Sequence, residues 1–228
     1  LTAGDVASAT GAVSQLRSAA GDSVRLTAWG TCFDGELSML AHPERLEEIA
    51  AAVGAAAKTL AELQDDAGEA KAHTVRASCL GRLGRVGDCE TALDEALTAA
   101  RRAGDHRRVN AVLAGAPLAA LWGPNPVPRA GGRCLDVVRL LRITTGSPVV
   151  EATSTRCQAV LDAFRGRAAA GRQLIESARR SLAELGMRHA LLEVDQFAGI
   201  IELVADDPGA AEPHLRRALL QPSREVVA

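Results

Sequence analysis

The 228-residue chain carries nearly balanced charge, with 26 Lys and Arg residues against 28 Asp and Glu residues and a net charge of −2. Hydrophobic residues make up 47% of the chain, but only 2% of its residues are aromatic. This balance argues against a general nucleic-acid binder and against a protein that binds anionic membranes. The longest apolar run, 111–122, contains Gly115 and Pro117 and is too short to span a bilayer.

The chain opens on Leu1 without the basic and then apolar leader of a secreted protein. Arginine greatly outnumbers lysine, which occurs only as Lys58 and Lys71, and this bias is typical of high-G+C bacterial genes. We therefore expect a soluble, cytoplasmic segment of a longer bacterial protein.

Apolar residues at helical spacing predict a first helix over 1–20, with Val6, Val13 and Leu16 on its apolar face. A turn signal, Gly4-Asp5, stands almost at its start. We interpret this helix as the second helix of a hairpin whose first helix is missing.

The next predicted hairpin covers 22–64. Its first helix, 22–41, begins with Asp22 as the N-cap. Five large residues of this helix are predicted to face inward: Leu26, Trp29, Phe33, Leu37 and Leu40. Pro43 stands at the first position of the second predicted helix, 43–64, where proline is favoured.

The most regular stretch is 80–104, where one helix ends, the chain turns at 84–87 and a second helix follows with Asp88 as its N-cap. Small residues share one face of that second helix: Ala92, Ala96 and Ala99. An alanine stripe lets two helix axes approach closely, so this unit is a helical hairpin.

This arrangement recurs, since a turn is followed some five residues later by a small residue at positions 9, 50, 92, 130, 171 and 211. A two-helix unit repeated about every forty residues predicts an all-α protein, a superhelix of five to six stacked hairpins. After a half repeat at 1–20, and before a tail at 221–228, the predicted hairpins are 22–64, 68–103, 105–143, 148–185 and 188–220. We predict one solenoid domain over 1–228.

Two features interrupt the pattern. Pro117 lies within an apolar helical stretch and is expected to kink or end it. Gly131 and Gly132 lie inside the next predicted helix, where each glycine costs about 1 kcal/mol relative to alanine. Pro117 and the two glycines are consistent with close helix packing and a longer turn, or with a bend in the solenoid that shapes a groove.

Three stretches carry a resemblance to known proteins: LGRLGRVGDCETALDEALTAARRAGD at 80–105, NAVLAGAPLAALWGPNPVPRA at 110–130 and FAGIIELVADDPGAAEPHLRRA at 197–218. The hairpins resemble tetratricopeptide (TPR) repeats of the roughly forty-residue kind. More specifically, they are similar to the repeat regions of large multidomain bacterial signalling ATPases, known from class III adenylate/guanylate cyclases and LuxR- or AfsR-type regulators. The resemblance implies that any ATPase or cyclase activity belongs to other domains. The usual aromatic landmarks are mostly absent, and Gly171 replaces the usual alanine.

The sequence holds no metal-ligand pattern, because its cysteines show no C-x-x-C spacing and its histidines never stand three or four residues apart. The cysteines are Cys32, Cys79, Cys89, Cys134 and Cys157, and we interpret them as free, buried thiols. The histidines are His42, His73, His106, His189 and His214, and we interpret them as solvated.

No catalytic motif is recognised either. Gly81, Gly84 and Gly87 are spaced like a glycine-rich loop, but they follow a helix and no Gly-Lys-Ser/Thr occurs. Paired carboxylates stand at predicted helix starts or ends, at 47–48, 65–66 and 206–207, and the last pair suits a cap. None has the surroundings expected of an acid/base dyad. We therefore expect no catalytic residues, no cofactor and no metal.

Arginine doublets are the main surface charge: 101–102, 107–108, 179–180 and 216–217. Near helix C-termini they complement the helix dipole, and we interpret them as facing solvent. The alternative is a basic edge that meets an acidic partner. A DNA-binding edge is the weakest hypothesis, because no recognition helix is evident.

Function is then expected to come from the groove that the first helix of each hairpin lines. The repeat phase places six polar residues there: Thr74, Asn110, Thr153, Arg156, Glu193 and Gln196. Polar groups are costly to bury, so these residues suit the binding of a peptide or a partner domain, including domains of the same polypeptide.

Two other hypotheses remain open. The groove could serve a small-molecule effector sensor of a transcriptional regulator, as in MalT-like solenoids, with a pocket closed by Trp122 and Pro117. A homodimer through an exposed apolar end at 1–20 is the third hypothesis.

Overall fold

The computed structural model describes residues 6–143 and 146–220, and within them it contains eleven α-helices and no strand. In chain order the helices are α1 (Val6–Ala20), α2 (Val24–Ala41), α3 (Leu46–Glu62), α4 (Asp66–Arg82), α5 (Val86–Arg102), α6 (His106–Trp122), α7 (Val127–Ile143), α8 (Pro148–Phe164), α9 (Ala168–Glu184), α10 (Arg188–Val204) and α11 (Pro208–Leu220). The predicted all-α class is confirmed. The Gly4-Asp5 turn and the predicted tail at 221–228 lie outside the described residues.

Contacts between residues divide the chain into unit 1, Leu1–Gly115, and unit 2, Ala116–Ala228, with the boundary inside α6. In unit 1 each helix from α1 to α5 packs against the next one, and α2 also packs against α4. In unit 2 the same holds from α7 to α11, where α8 also packs against α10. Each unit is therefore built from consecutive helix pairs. The single domain over 1–228 stays a prediction.

The helices are regular in length and spacing. Each helix from α3 to α10 has 17 residues, and each helix from α4 to α11 starts 20 or 21 residues after the previous one. Most turns are closed by a backbone N–H that donates to a carbonyl five residues earlier: Asp65 to Leu60, Arg85 to Leu80, Asp105 to Ala100, Arg167 to Asp162, Met187 to Leu182 and Asp207 to Glu202.

This closure is the Schellman-type helix end, which needs one residue with positive φ. Gly84 supplies it before α5, with φ of 74°. Gln64 and Asp206 adopt the same left-handed region, at 55° and 59°, without being glycine. The turn geometry thus recurs even where the glycine signal is missing from the sequence.

Two predicted N-caps are wrong. Ser23, not Asp22, caps α2, because Ser23 has the extended backbone of a cap and its Oγ accepts the N–H of Leu26 at 3.3 Å. Helix α5 begins before Asp88, with Arg85 at the N-cap position and no side-chain cap. Asp88 lies in the first turn instead and pairs with Arg85 at 2.6 Å.

Two aspartates cap helices, and the one at Asp207 is the cap that the sequence predicts. Asp207 Oδ1 accepts the N–H of Ala210 at 2.9 Å, just before Pro208 opens α11. Asp65 Oδ1 accepts the N–H of Gly68 at 2.9 Å at the start of α4. By contrast, Pro43 opens only a 3-10 helix, Pro43–Arg45, ahead of α3.

The inward face of α2 differs from the prediction. Leu26 is 36% exposed, whereas the small residues Ala28 and Cys32 are 6% and 0% exposed. Other large residues predicted to face inward are partly buried: Trp29, Phe33 and Leu37. The side chain of Leu40 lies outside the described residues. Close packing of α2 selects the narrow side chains and leaves the wide ones at the edge of the contact.

Small residues make the helix contacts throughout the chain. The residues at the sequence markers from position 50 onward are buried: Ala50, Ala92, Ala130, Gly171 and Ala211. A Cβ added to Gly171 on α9 would lie 2.6 Å from the backbone oxygen of Ala159 on α8. Glycine at this marker therefore lets α8 and α9 approach more closely than alanine would.

Pro117 and the glycine pair at 131–132, which interrupt the sequence pattern, both lie within helices of the structure. Helix α6 continues through Pro117, so the proline does not end it. Gly131 and Gly132 both lie within α7. A Cβ on Gly131 would come within 2.7 Å of the Arg165 guanidinium, whereas one on Gly132 would meet nothing within 4 Å. Close packing thus accounts for Gly131 but not for Gly132.

Candidate functional site

The six residues predicted for a groove fall in both units. Thr74 and Asn110 lie in unit 1, on α4 and α6. The other four lie in unit 2, on α8 and α10: Thr153, Arg156, Glu193 and Gln196. The pairs on α8 and α10 belong to packed helices, so unit 2 is where the predicted residues come together.

The threonine hydroxyls are used within their own helices. Thr74 Oγ1 donates to the carbonyl of Ala70 at 2.7 Å, and Thr153 Oγ1 donates to that of Val149 at 3.0 Å. Thr153 is 6% exposed, and Thr74 and Asn110 are half-buried. Because each threonine proton is committed to a backbone carbonyl, these hydroxyls can offer a ligand only their acceptor lone pairs.

Arg156 and Glu193 join α8 to α10. Arg156 is only 3% exposed, and its guanidinium pairs with the carboxylate of Glu193 and donates to the carbonyl of Ala190 at 3.4 Å. Among the described residues, its Nε has no hydrogen-bond acceptor. The side chain of Glu193 is 52% exposed. A buried cation is thus paired with a carboxylate that itself faces solvent.

Aromatic side chains complete this arrangement. The Arg156 guanidinium lies 5.2 Å from the ring centroid of Phe197, one turn after Glu193 on α10. Trp122, at the end of α6, packs edge-on against Phe197 with centroids 5.9 Å apart. Phe197 is 3% exposed and Trp122 is 45% exposed. We call these residues, together with the exposed Gln196, the Arg156 surface.

A second charged cluster lies on another side of α10. Asp195 is 6% exposed, and its Oδ1 accepts hydrogen bonds from Arg179 of α9 at 2.9 Å and Arg217 of α11 at 3.3 Å. His214 Nδ1 stands 3.5 Å from the same oxygen. Burial alone would raise the pKa of Asp195, but the hydrogen bonds and charges of the two arginines outweigh it and hold that pKa below its ordinary value.

Several arginines that the sequence places on a solvated face are in fact paired. Arg102 of α5 binds Asp66 at 2.7 Å and Glu69 at 2.6 Å, both on α4. Five arginines of the doublets pair with carboxylates: Arg102, Arg108, Arg179, Arg216 and Arg217. The interpretation as solvent-facing holds for Arg102, Arg216 and Arg217, whose side chains are 48% to 71% exposed, whereas Arg179 is only 26% exposed and contacts the buried Asp195.

His73 is also not solvated. Its side chain is 13% exposed and lies between Glu95, at 3.0 Å, and Glu69, at 3.9 Å. Burial lowers the pKa of His73 and outweighs the two carboxylates, which act to raise it. The side chain of His189 lies outside the described residues.

The five cysteines are free and buried. Burial raises the pKa of Cys32 to about 11. The hydrogen bond with Cys134, followed by burial, raises the pKa of Cys157, and the same hydrogen bond lowers the pKa of Cys134. Because all five thiols are free and buried, the interpretation of the cysteines as core residues is confirmed.

Within residues 6–143 and 146–220, no group of three or more His, Cys, Asp or Glu side chains could hold a metal ion. In the same part of the chain, no helix combines the length and the apolar character that crossing a bilayer requires.

Unit 1 carries a groove of about 400 Å³ between α1 and α2. Its lining is mostly apolar: Ala9, Ala12, Val13, Leu16, Phe33 and Leu37, with Glu36. Val13 and Leu16 are two of the residues predicted for the apolar face of α1. A second cavity of unit 1 lies beside α3.

Sequence reasoning missed Phe197 and Asp195. Phe197 is one of only three phenylalanines in the chain, and this rarity was an available signal. Asp195 stands two residues after Glu193, on a different face of the helix, so the repeat phase gave no reason to select it. Its partners lie 16 and 22 residues away in sequence, on two other helices.

The fold defines this chain as an all-α protein of consecutively packed helix pairs, cross-linked by charged side chains of neighbouring helices. No protein-family model matches the sequence, and no curated protein matches it. Among solved structures it is similar to the crystal structure of BtubC (BKLC) from P. vanneervenii, with a TM-score of 0.66 and 17% sequence identity. The match covers 97% of this chain and 90% of that chain. At this identity the likeness shows the fold alone.

Proposed function

We propose that this chain is a non-catalytic protein-interaction and regulatory module of a larger cytoplasmic signalling protein of bacteria. It binds a peptide or a partner domain on the face that α8 and α10, the first helices of two hairpins of unit 2, form. The Arg156 surface carries the proposal, because a buried guanidinium, a half-exposed carboxylate and an exposed tryptophan meet there.

The energetics of Arg156 favour recognition over stability. Removing a guanidinium from water costs several kcal/mol, and an ion pair with a half-exposed partner recovers only part of that. A hydrophobic side chain of similar volume would stabilise the contact between α8 and α10 at least as well. Arginine and tryptophan are the side chains most enriched at the energetic centres of protein interfaces.

We infer that the hairpins are TPR-like. Helices of 17 residues that start every 20 or 21 residues support a two-helix repeat of about forty residues. The likeness to BtubC covers 97% of the chain and shows the fold alone, so the TPR-like repeat rests on the helix spacing. The signalling ATPase as parent protein rests on the sequence resemblance, and any ATPase or cyclase activity belongs to domains outside this chain.

The alternative is a small-molecule effector bound in the same groove. Pro117 is fully buried and Trp122 is 45% exposed. This difference favours an open surface over a pocket that the two residues would close together.

Selection from a random peptide library displayed on phage tests the proposal. We expect the 228-residue chain to enrich a peptide family that binds with micromolar affinity, typical of short peptides in grooves. The variants Trp122→Ala and Gln196→Ala should each weaken that binding by about fivefold or more, since both remove exposed contacts.

Arg139→Ala is the matched control, because this arginine is 73% exposed on α7 and pairs only within its own helix, with Asp136. It should leave peptide binding unchanged. Failure to enrich any peptide, or equal binding by the Trp122 and Gln196 variants, would refute the assignment to the Arg156 surface.

A further inference from the structure

A cavity of about 370 Å³ opens on unit 1 along one side of α3. Small residues of α3 form its floor: Ala50, Ala51, Gly54 and Ala55. Since none of these side chains extends beyond a methyl group, the longer side chains around them border an open space instead of filling it. The cavity shares no residue with the Arg156 surface, so the inference drawn from it is independent of the function proposed above.

Three cationic side chains line this cavity: Lys58 of α3, Arg76 of α4 and Arg85 of the turn before α5. Arg76 lies directly against the floor, because its Cδ and Nε stand 3.6 Å from where a Cβ of Gly54 would be. Lys58 follows Gly54 by one helical turn, so the two cations flank the same part of the floor. Among the described lining residues, Glu47 is the only acidic one.

Apart from the pair of Arg85 with Asp88, the ion pairs that these cations make are long. Arg85 is 3.8 Å from Glu47, and Arg76 is 3.6 Å from Glu95, in pairs whose side chains are 37% to 73% exposed. Lys58 makes no ion pair within the described residues. Lys71, in contrast, pairs with Glu36 at 2.5 Å in a largely buried setting. Exposed pairs of this length contribute little, so an anion in the cavity competes with weak interactions.

Arg85 has one close partner, Asp88, at 2.6 Å. Asp88 does not line the cavity. Arg85 is therefore already committed to a close ion pair, whereas Arg76 makes a longer one at 3.6 Å and Lys58 makes none within the described residues.

We propose that this cavity binds a small polyanion whose acidic groups are phosphates or carboxylates. One acidic group lies between Lys58 and Arg76 above Gly54, and a second is directed toward Arg85. The guanidinium groups suit planar, two-point hydrogen bonding to either kind of acid, and the ammonium of Lys58 acts as a point charge. The volume falls in the range of small-molecule sites, and the charged lining selects against an apolar ligand.

Isothermal titration calorimetry of the 228-residue chain with tripolyphosphate and with citrate tests this site. We expect saturable binding of one molecule per chain. Lys58→Glu and Arg76→Gln should each weaken the binding by about tenfold or more, the effect of losing one charge-assisted contact. Gly54→Leu should abolish it by filling the floor without a change in charge.

Arg139→Glu is the matched control, because it makes the same kind of charge change at an exposed site of unit 2. Circular dichroism verifies that each variant is folded. Binding of tripolyphosphate alone identifies a phosphate ligand, and binding of citrate alone identifies a carboxylate ligand. The proposal is overturned if neither anion saturates, if Arg139→Glu weakens binding as much as Lys58→Glu, or if folded Gly54→Leu binds as the parent does.

Discussion

At the scale of single residues, Asp195 of α10 is the carboxylate that links three helices of unit 2. Arg179 of α9 and Arg217 of α11 both donate to it from neighbouring helices. We expect Asp195→Asn to lower the free energy of unfolding by about 1–3 kcal/mol, because it leaves two arginines without their anion. Urea denaturation followed by circular dichroism measures the change.

Asp136→Asn is the control for this substitution. Asp136 is 64% exposed and pairs with Arg139 one turn away on the same helix. Its removal should change stability by no more than about 0.5 kcal/mol. Equal losses in the two variants would show that the burial of Asp195 is irrelevant.

Asp195 and Glu202 together lead to an expectation about how the stability of the fold changes in acid. The hydrogen bond and charge of Arg172 lower the pKa of Glu202, and the pKa of Asp195 is also lowered. Because both folded-state pKa values lie below the unfolded ones, these groups stabilise the fold above the ordinary carboxyl pKa of about 4. That stabilisation is lost as the pH falls through the folded-state values.

The double variant Asp195→Asn/Glu202→Gln should therefore lose less stability than the parent between about pH 6 and about pH 3. Urea midpoints at a series of pH values measure the two slopes. Parallel slopes for parent and variant would mean that other carboxylates account for the acid response.

At the scale of elements, two glycines of unit 2, one on α7 and one on α9, should respond oppositely to alanine. Gly132 is exposed within α7, and a Cβ there would meet nothing within 4 Å. Gly132→Ala should therefore raise the free energy of unfolding by about 0.5–1 kcal/mol through helix propensity. Gly171→Ala should lower it by about 1–3 kcal/mol, because the added methyl group would overlap the backbone oxygen of Ala159.

Thermal and urea unfolding of the two single variants provide the comparison. The substitution is the same in both and only the surroundings differ, so each variant controls for the other. Shifts of the same sign would contradict the close approach of α8 and α9.

Element positions were predictable to different degrees. Helix periodicity and glycine turns indicated a hairpin over 148–185, and the structure has α8 at Pro148–Phe164 and α9 at Ala168–Glu184. N-caps were predictable only where an acidic residue directly precedes the helix, as at Asp207. They were missed at Ser23 because the cap depends on which residue has an extended backbone, and a choice between adjacent polar residues does not show this.

At the scale of the whole molecule, charge leads to an expectation about nucleic acids. The net charge is −2, and five arginines of the doublets already have carboxylate partners. We expect no binding of a labelled random-sequence DNA duplex up to about 10⁻⁴ M protein, the weak end of non-specific affinity. Fluorescence anisotropy at low salt measures it, and salt-dependent binding would identify a basic edge.

The sequence by itself determined the helical class, the order of the helical hairpins and the positions of most turns. These follow from interactions within one or two helical turns, namely apolar spacing, small residues and glycines at helix ends. It also indicated the buried small residues, because a helix that packs closely needs them at a regular spacing. Local sequence patterns were sufficient for all of these features.

Only the tertiary structure decided which charges are paired and which are available. Arg156 and Glu193 are 37 residues apart along the chain, and Arg102 lies more than 30 residues from Asp66 and Glu69. Whether such groups meet depends on the distance between helices and the rotation of each one. That geometry is set by the sum of many packing contacts, so no single stretch of sequence specifies it.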